Sequence, residues 1–209
     1  MKLVEQKFEV INAPTYEQAL QVCELCCRVA YKSEDRIGPG SAEKLLHDVL
    51  HRKPTPHESV IEHVGMTLKF TTDRGVTHEW VRHRLASYTQ ESTRFVNYSK
   101  GKFGNTVTVI EPVDMPNEEA RQEWCQAMID SERHYMRMLE LGCTPQCARS
   151  VLTNSTKAEI MVTTNFRNWR HVFTMRTSKQ AHPQMRELML PALAWCKETY
   201  PVFFEGIGE

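Results

Sequence analysis

The sequence is poor in glycine, has no excess of either charge and contains no long hydrophobic run. Only nine glycines occur among 209 residues, and neither glycine-rich phosphate-binding pattern, GxGxxG or GxxxxGK[ST], is present. The usual backbone cradle for a nucleotide is therefore excluded. Phosphate groups would have to be bound by arginine forks and side-chain hydroxyls, whose geometry suits them.

The balance of charge argues against a protein that coats nucleic acid. Lysine plus arginine equals aspartate plus glutamate at 26 residues each, whereas such proteins usually present a basic face. No run approaches the ~18 apolar residues of a membrane span. The opening stretch MKLVEQKFEV also lacks the apolar core of a signal peptide. We expect a cytoplasmic protein with no nucleic-acid or membrane partner.

The cysteines do not indicate a disulfide framework or a metal site. Seven are present, an odd number, and in an intracellular chain they are typical of buried thiols. Cys23 and Cys26 have C-x-x-C spacing, but the stretch YEQALQVCELCCRVAY is typical of an amphipathic helix without the tight turns of a zinc knuckle. Cys147 falls in a predicted helix interior with no base beside it. We predict no metal ligand and no cysteine nucleophile, and we interpret His47 and His51 as a polar flank.

The length and the hydrophobic patterns predict one α+β domain over residues 1–209. The predicted strands are 8–12, 65–72, 105–112 and 158–164. The predicted helices are 15–31, 41–51, 74–84, 118–141, 144–152, 168–178 and one that begins at 183, with Ser41, Asp73 and Thr144 as N-caps. The helices do not alternate regularly with the strands, so we expect a mixed or antiparallel sheet rather than a doubly wound fold.

Charged and hydroxyl groups crowd into RHRLASYTQESTR, residues 82–94, which leaves the end of a predicted helix and enters a loop. The stretch holds three arginines, a histidine, a glutamate and two serines. Taken alone, it suits a solvated loop with ion pairs as well as it suits a phosphate site.

An arginine far along the chain favours the ligand site. In NFRNWRHVFTMR, helical projection puts Arg176 in the same sector as Trp169 and Phe173. Because an unpaired buried charge is very costly, this arginine must be paired or directed into a cavity, unless it snorkels past the apolar stripe at the helix end.

These residues resemble the signature of a known family. Arg82-His83-Arg84, followed by Ser87, Ser92 and Arg94, match R-H-R-x-x-S-x-x-x-x-S-x-R of the flavin-dependent thymidylate synthases (ThyX). Three more segments resemble that family in the right order: HESVIEH (57–63), CARSVL (147–152) and TNFRNWRHVFTMR (164–176). The resemblance extends from the first predicted helix to about residue 190.

The resemblance implies the reductive methylation of dUMP to dTMP by an FAD-dependent methyltransferase. 5,10-Methylenetetrahydrofolate would supply the carbon, FADH2 the hydride and NADPH the reducing equivalents, in a homotetramer with shared active sites. The residues implied at FAD are His57, Ser59, Glu62, Arg82, His83, Arg84, Asn165, Arg167 and His171. Those implied around dUMP are Glu79, Arg82, Gln90, Glu91, Ser92, Arg94, Arg149 and Arg176. Arg176 is also the implied catalytic residue, where it would stabilise negative charge that develops on the uracil ring.

The chain departs from the family pattern at several places, and two other functions compete. Many members carry Asn-Glu where this chain has Thr89-Gln90, with the acid displaced to Glu91, and about two extra residues precede His182. One rival is a module that binds single-stranded nucleic acid, because RFVNYSKGKFG (94–104) mixes aromatic and basic residues. The other is a folate- and flavin-dependent methyltransferase that acts on uracil within RNA.

Overall fold

A computed structural model describes residues 1–208 of the chain. Its strands are β1 Lys2–Leu3, β2 Lys7–Asn12, β3 Gly65–Asp73, β4 Ser87–Gln90, β5 Thr108–Val109 and β6 Lys157–Asn165. Its α-helices are α1 Tyr16–Tyr31, α2 Ser41–Leu50, α3 Arg74–Trp80, α4 Glu118–Glu140, α5 Pro145–Ala148, α6 Phe166–Arg176, α7 Pro183–Thr199 and α8 Pro201–Phe204. Short 3-10 helices span Glu34–Arg36, Glu58–His63, Gly101–Phe103 and Arg149–Val151.

The sheet confirms the predicted fold class. An antiparallel sheet has the strand order β2-β3-β6-β4, and a separate parallel pair joins β1 to β5, with Lys2 opposite Thr108. Along β3, the side chains of Met66, Leu68 and Phe70 are buried at alternate positions, as the period of two requires. The chain is therefore α+β, with helices inserted between strands that pair out of sequence order.

Local signals placed most helix starts correctly. Thr15 accepts a hydrogen bond from the backbone N–H of Gln18 and forms a capping box with it. Asp73 caps α3, accepting from the N–H of Val76 at 2.7 Å, and Thr144 caps α5. Within residues 1–208, no helix has the length and apolar character needed to span a membrane.

Some local predictions were wrong. Ser41 is not an N-cap, because its hydroxyl lies 2.7 Å from both Glu24 Oε1 and the carbonyl oxygen of Gly38, and Gly40 (φ 73°) takes the capping position. Residues 87–90 form β4 where a loop was expected, and the strand predicted over 105–112 is reduced to two residues. Cys147 lies within a helix, as predicted, but its side chain is exposed, unlike the buried thiols that the sequence indicates for the cysteines as a group.

The chain divides into two compact units, each built from three stretches of sequence. Unit 1 comprises Met1–Phe8, Lys69–Arg82 and Tyr88–Met161. Unit 2 comprises Glu9–Leu68, His83–Ser87 and the described residues from Val162 onward. The prediction of one domain over the whole chain stays a prediction.

Each unit has its own core. In unit 1, Tyr98 and Tyr135 pack edge to face with ring centroids 5.6 Å apart, and Val109 and Met128 join them. In unit 2, α6, α7 and α8 bury an aromatic cluster around Phe166, whose ring lies 4.9–5.3 Å from those of its three neighbours. These neighbours are Tyr200, Phe203 and Phe204.

Candidate functional site

Helix α6 positions the candidate groups of unit 2. Asn165, the last residue of β6, caps the helix by accepting a hydrogen bond from the N–H of Asn168 at 2.9 Å. The apolar side of α6 is buried through Phe166, Trp169 and Phe173. Since an α-helix has 3.6 residues per turn, the polar residues between them lie on the remaining surface of the helix.

Two glutamates of the Glu58–His63 helix bind the arginines of α6. Arg167 donates to Glu62 in a close ion pair, and its Nε lies 3.7 Å from Glu58 Oε2. Arg170 Nε donates to Glu58 Oε1 at 3.0 Å, while its Nη1 donates to the carbonyl oxygen of Phe203. Glu58 and Arg170 were missed by the sequence analysis. A signal was present, because Glu58 lies inside the HESVIEH segment and Arg170 follows Arg167 by one helical turn.

These groups surround a pocket of about 540 Å³ within unit 2. That volume lies in the range of small-molecule and cofactor sites. The lining includes Glu58, Glu62, Leu85, Asn165, Arg167, Asn168, Arg170, His171, Thr174 and Ile207. Four of the nine residues predicted at FAD are thus brought together, namely Glu62, Asn165, Arg167 and His171.

One residue of the segment His83–Ser87, Leu85, has an unfavourable backbone conformation beside this pocket. Leu85 has φ 61° and an 88% exposed side chain, a conformation that costs an L-residue about 1–2 kcal/mol. Its carbonyl oxygen accepts from Thr164 Oγ1 at 2.8 Å, and the Arg84 carbonyl accepts from Asn168 Nδ2 at 3.1 Å. Side chains of β6 and α6 therefore fix the backbone at Arg84 and Leu85.

His83 and Arg176 form a hydrogen bond that defines the state of both. Arg176 Nε donates to His83 Nε2 at 2.8 Å, so this ring nitrogen carries no proton and the imidazole is neutral. Burial, together with the charges of Arg176 and His171, lowers the pKa of His83 to about 4. Arg176 is therefore paired with a neutral side chain, as one predicted alternative required.

His57 and Ser59 lie at a different pocket of unit 2. This pocket of about 560 Å³ is lined by them together with Arg28, Arg36 and Arg52, among others. The structure therefore does not bring these two predicted FAD residues together with the four that line the α6 pocket. Arg82 belongs to unit 1 and Arg84 to unit 2, and both side chains are exposed.

Unit 1 contains most of the residues predicted around dUMP. Arg94 Nε donates to Gln146 Oε1 at 2.8 Å, and Arg149 Nη1 donates to Thr93 Oγ1 at 3.3 Å. Ser92 Oγ accepts from the N–H of Arg94 at 3.3 Å. Because these acceptors are neutral, the bonds orient both guanidinium groups without cancelling their charge, which is the state that a phosphate requires.

Gln90 and Glu91, in the segment that departs from the family pattern, form hydrogen bonds within unit 1. Glu91 accepts from Lys157 Nζ at 2.8 Å and from the Tyr98 hydroxyl at 3.3 Å, and burial and Glu91 raise the pKa of Tyr98. Gln90 Nε2 donates to Thr77 Oγ1 at 2.8 Å. These contacts give both residues a role in positioning the chain, and their predicted role at dUMP stays a prediction.

Glu79 and Arg82 lie at the end of α3 in unit 1. The backbone N–H of Arg82 donates to the carbonyl oxygen of Glu79 at 3.2 Å, as in a tightened last helical turn. The Arg82 side chain is exposed and that of Glu79 is partly buried. Their predicted contacts with a ligand stay predictions.

Comparisons with known proteins decide the family. The family model described as thymidylate synthase complementing protein matches residues 10–202. A relative described as a flavin-dependent thymidylate synthase, from Corynebacterium aurimucosum, is 31% identical over 211 residues, which cover 95% of this chain and 83% of the relative. The chain belongs to the flavin-dependent thymidylate synthase family. The family predicted from the RHR signature is thereby confirmed.

A second relative of the same description matches over a shorter part of both chains. The flavin-dependent thymidylate synthase of Pyrococcus abyssi is 32% identical over 150 residues, which cover 70% of this chain. The match spans 61% of the length of that relative.

Solved structures show that the fold is shared as well. ThyX from Helicobacter pylori, determined with FAD and dUMP, matches with a TM-score of 0.76 over 98% of this chain and 99% of its own, at 18% identity. A UMP/dUMP methylase, PolB from Streptomyces cacaoi, bound with 5-Br dUMP, matches with a TM-score of 0.79 over 98% and 96%, at 21% identity. At these identities the likeness establishes the fold, and it confirms the α+β prediction independently of the sequence match.

Proposed function

We propose that this member of the family catalyses the reductive methylation of dUMP to dTMP, with 5,10-methylenetetrahydrofolate as carbon donor and NADPH as reductant. The observation that supports this best is the α6 pocket, whose lining holds Glu62, Asn165, Arg167 and His171 of the family signature. In the proposed reaction the C5–H proton of dUMP leaves to water. The methylene carbon forms a bond to C5, its two bonds to folate nitrogens break, and a hydride completes the methyl group; the folate nitrogens take up protons and tetrahydrofolate is released.

FAD is the cofactor that family membership implies, and the α6 pocket has donors that fit it. A flavin dinucleotide offers phosphate oxygens and ring acceptors, and in a chain without a glycine-rich loop these must be met by side chains. Arg167 and His171 supply such donors, with Asn165 at the start of the helix. FAD, when bound in its reduced form, supplies the hydride. Glu58 and Glu62 pair with Arg167, so a phosphate group that binds this arginine would have to take the place of a carboxylate.

At dUMP we assign a role to each predicted residue. Arg82, Arg94 and Arg149 would bind the phosphate of dUMP as forked cations, with the Ser92 hydroxyl as an additional donor. Arg176 would stabilise the negative charge that develops on the uracil ring, because the imidazole of His83 fixes the orientation of its guanidinium. Glu79, Gln90 and Glu91 would contact the base or sugar.

We further propose that the protein acts as a cytoplasmic homotetramer on free nucleotides, with active sites shared between copies of the chain. The chain has nine glycines and no glycine-rich phosphate-binding loop. Residues from a second copy of the chain would therefore add to the groups that surround each ligand. The even charge balance supports a small-molecule substrate rather than RNA.

The absorbance spectrum of the purified protein, followed by an assay of NADPH oxidation, tests this proposal. Flavin absorbance and NADPH oxidation that depends on added dUMP are expected. UMP and uracil-containing RNA serve as competitors, and neither should lower the rate of dUMP turnover when added at the same concentration as dUMP. A protein that stays colourless after addition of FAD and binds oligonucleotides with a steep dependence on salt would favour the nucleic-acid-binding alternative instead.

A further inference from the structure

Three side chains of unit 2 that take no part in the proposed reaction have the arrangement of a transition-metal site. His47 lies on α2, His51 comes directly after this helix and one turn further along the chain, and Glu205 follows α8. Each offers one ligand atom, and these atoms all lie within 4.8 Å of one another. The two imidazole rings are stacked, with centroids 4.5 Å apart and an angle of 27° between their planes. We propose that His47, His51 and Glu205 bind a divalent transition-metal ion such as Zn²⁺.

The orientation of His51 suits a metal ligand. Its Nδ1 lies 3.0 Å from the carbonyl oxygen of His47, and a carbonyl oxygen can only accept, so Nδ1 carries a proton and is not the ligand atom. Nε2 is the ring nitrogen that faces Glu205, whose Oε2 lies 3.7 Å from it. A ligand histidine oriented by a backbone carbonyl at its other nitrogen is also the common second-shell arrangement of metal sites.

The ligand set indicates which metals fit. Two imidazoles at i and i+4 share one face of a helix and can bind the same ion. Two imidazoles with one carboxylate suit Zn²⁺, Co²⁺ or Ni²⁺, whereas Mg²⁺ and Ca²⁺ prefer oxygen ligands alone.

A pocket of about 530 Å³ adjoins the cluster and is lined by His47 and Glu205, together with Lys44 and Lys197 among others. A fourth coordination position would therefore be open to water or to a small anion that the lysines attract.

Metal binding here would link α2 to the segment after α8, so it should stabilise the folded chain. The test uses tag-free full-length protein and Zn²⁺ alone as the probe, with isothermal titration and thermal unfolding as readouts. We expect one Zn²⁺ per chain and a rise in Tm of roughly 3 °C or more at saturating metal. Neither readout depends on catalytic activity, so the proposal can fail or succeed separately from the proposed function.

Substitutions separate this site from other zinc ligands. His51→Asn and Glu205→Gln should each weaken Zn²⁺ binding by at least about tenfold and abolish the Tm rise, because each removes one ligand. Both side chains are exposed, so neither substitution should unfold the chain. His134→Gln removes an exposed histidine of α4, and Cys147→Ser removes an exposed thiol. Both should leave binding unchanged. Wild-type protein without Zn²⁺ binding, or His51→Asn and Glu205→Gln variants that bind as wild type, would overturn the proposal.

Discussion

At the scale of single residues, the account depends most on Arg176. Its guanidinium is held by a neutral histidine at 2.8 Å, on a helix whose neighbouring face is buried. We expect Arg176→Ala to retain bound flavin and to lower kcat for dTMP formation by about 10²–10³-fold, the usual effect of removing one preorganised donor.

The flavin spectrum and turnover of this variant are the measurements. Arg176→Lys, which keeps the charge but not the fork, should lose less. Undiminished turnover in Arg176→Ala would remove the residue from the mechanism.

His83 makes the stability of the protein depend on pH. Its pKa is about 4 in the folded chain, against about 6.5 for an ordinary histidine. Between these values the unfolded chain binds more protons than the folded chain, so the free energy of unfolding falls as pH falls from about 6.5 to 4, by at most about 3 kcal/mol. Above about pH 6.5 the imidazole is neutral in both states and contributes no pH dependence.

Urea unfolding at several pH values measures this effect. His83→Gln places an amide oxygen near the position of Nε2 as an acceptor for Arg176 but cannot titrate, so its stability should decline less steeply between pH 6.5 and 4. A slope equal to that of the wild type would contradict the assignment.

Sequence reasoning located the residues of the α6 pocket only in part. Arg167 and His171 were recognisable because α6 is a regular helix and the family signature marks them. Glu58 and Arg170 escaped because their importance lies in the ion pair that they form with each other, and partners 112 residues apart cannot be matched from one sequence. His57 and Ser59 lie at a different pocket although they are close to Glu62 in the sequence, and their predicted contact with FAD stays a prediction.

At the scale of elements, α8 supports the α6 pocket through its contact with Arg170, which lines that pocket. The ring of Phe203 packs against Phe166 with centroids 5.2 Å apart, and its carbonyl oxygen accepts from Arg170. We expect Phe203→Ala to lower the free energy of unfolding by about 3–5 kcal/mol, the usual cost of such a cavity. The flavin content should also fall, because α8 would no longer hold Arg170.

Urea unfolding and the flavin-to-protein absorbance ratio are the measurements. Tyr31→Ala removes an aromatic side chain that is 70% exposed and is the matched control for stability, expected to change it by less than about 0.5 kcal/mol. A Phe203→Ala variant as stable as this control would mean that α8 does not contribute to the core.

The elements that sequence predicts well are those with their own periodic signal. Strand β3 and helices α1 and α4 have clear apolar periods and capping residues, and they lie where they were expected. Strand β4 was missed because its four residues, SYTQ, are polar and its extended conformation comes from pairing with β6. Such pairing is a tertiary contact without a local signature. The contacts of Glu91 with Lys157 and Tyr98 were missed for the same reason.

At the scale of the whole molecule, the fold class was predictable because strands and helices interleave along the sequence. The two units were not, since each combines three stretches separated by up to about 75 residues. That division depends on which distant segments pack together, and one sequence does not contain this information.

Oligomerisation is the prediction that belongs to this scale. If active sites are shared, the protein should elute as a tetramer of about 97 kDa, four times the 24.3 kDa of one chain. Its specific activity should fall when dilution dissociates the subunits. Light scattering coupled to size exclusion and assays over a dilution series measure both quantities. A monomer whose specific activity does not depend on concentration would contradict shared sites.

The most direct test of the proposed reaction follows the hydrogen at C5 of the uracil ring. The methyl group replaces that hydrogen, so dUMP labelled with tritium at C5 should release the label into water in a one-to-one ratio with dTMP formed. Release should require FAD, NADPH and 5,10-methylenetetrahydrofolate together, and its rate should fall by about 10²–10³-fold in Arg176→Ala. Absence of tritium release and of dTMP from flavin-loaded wild-type protein with all substrates present would contradict the account.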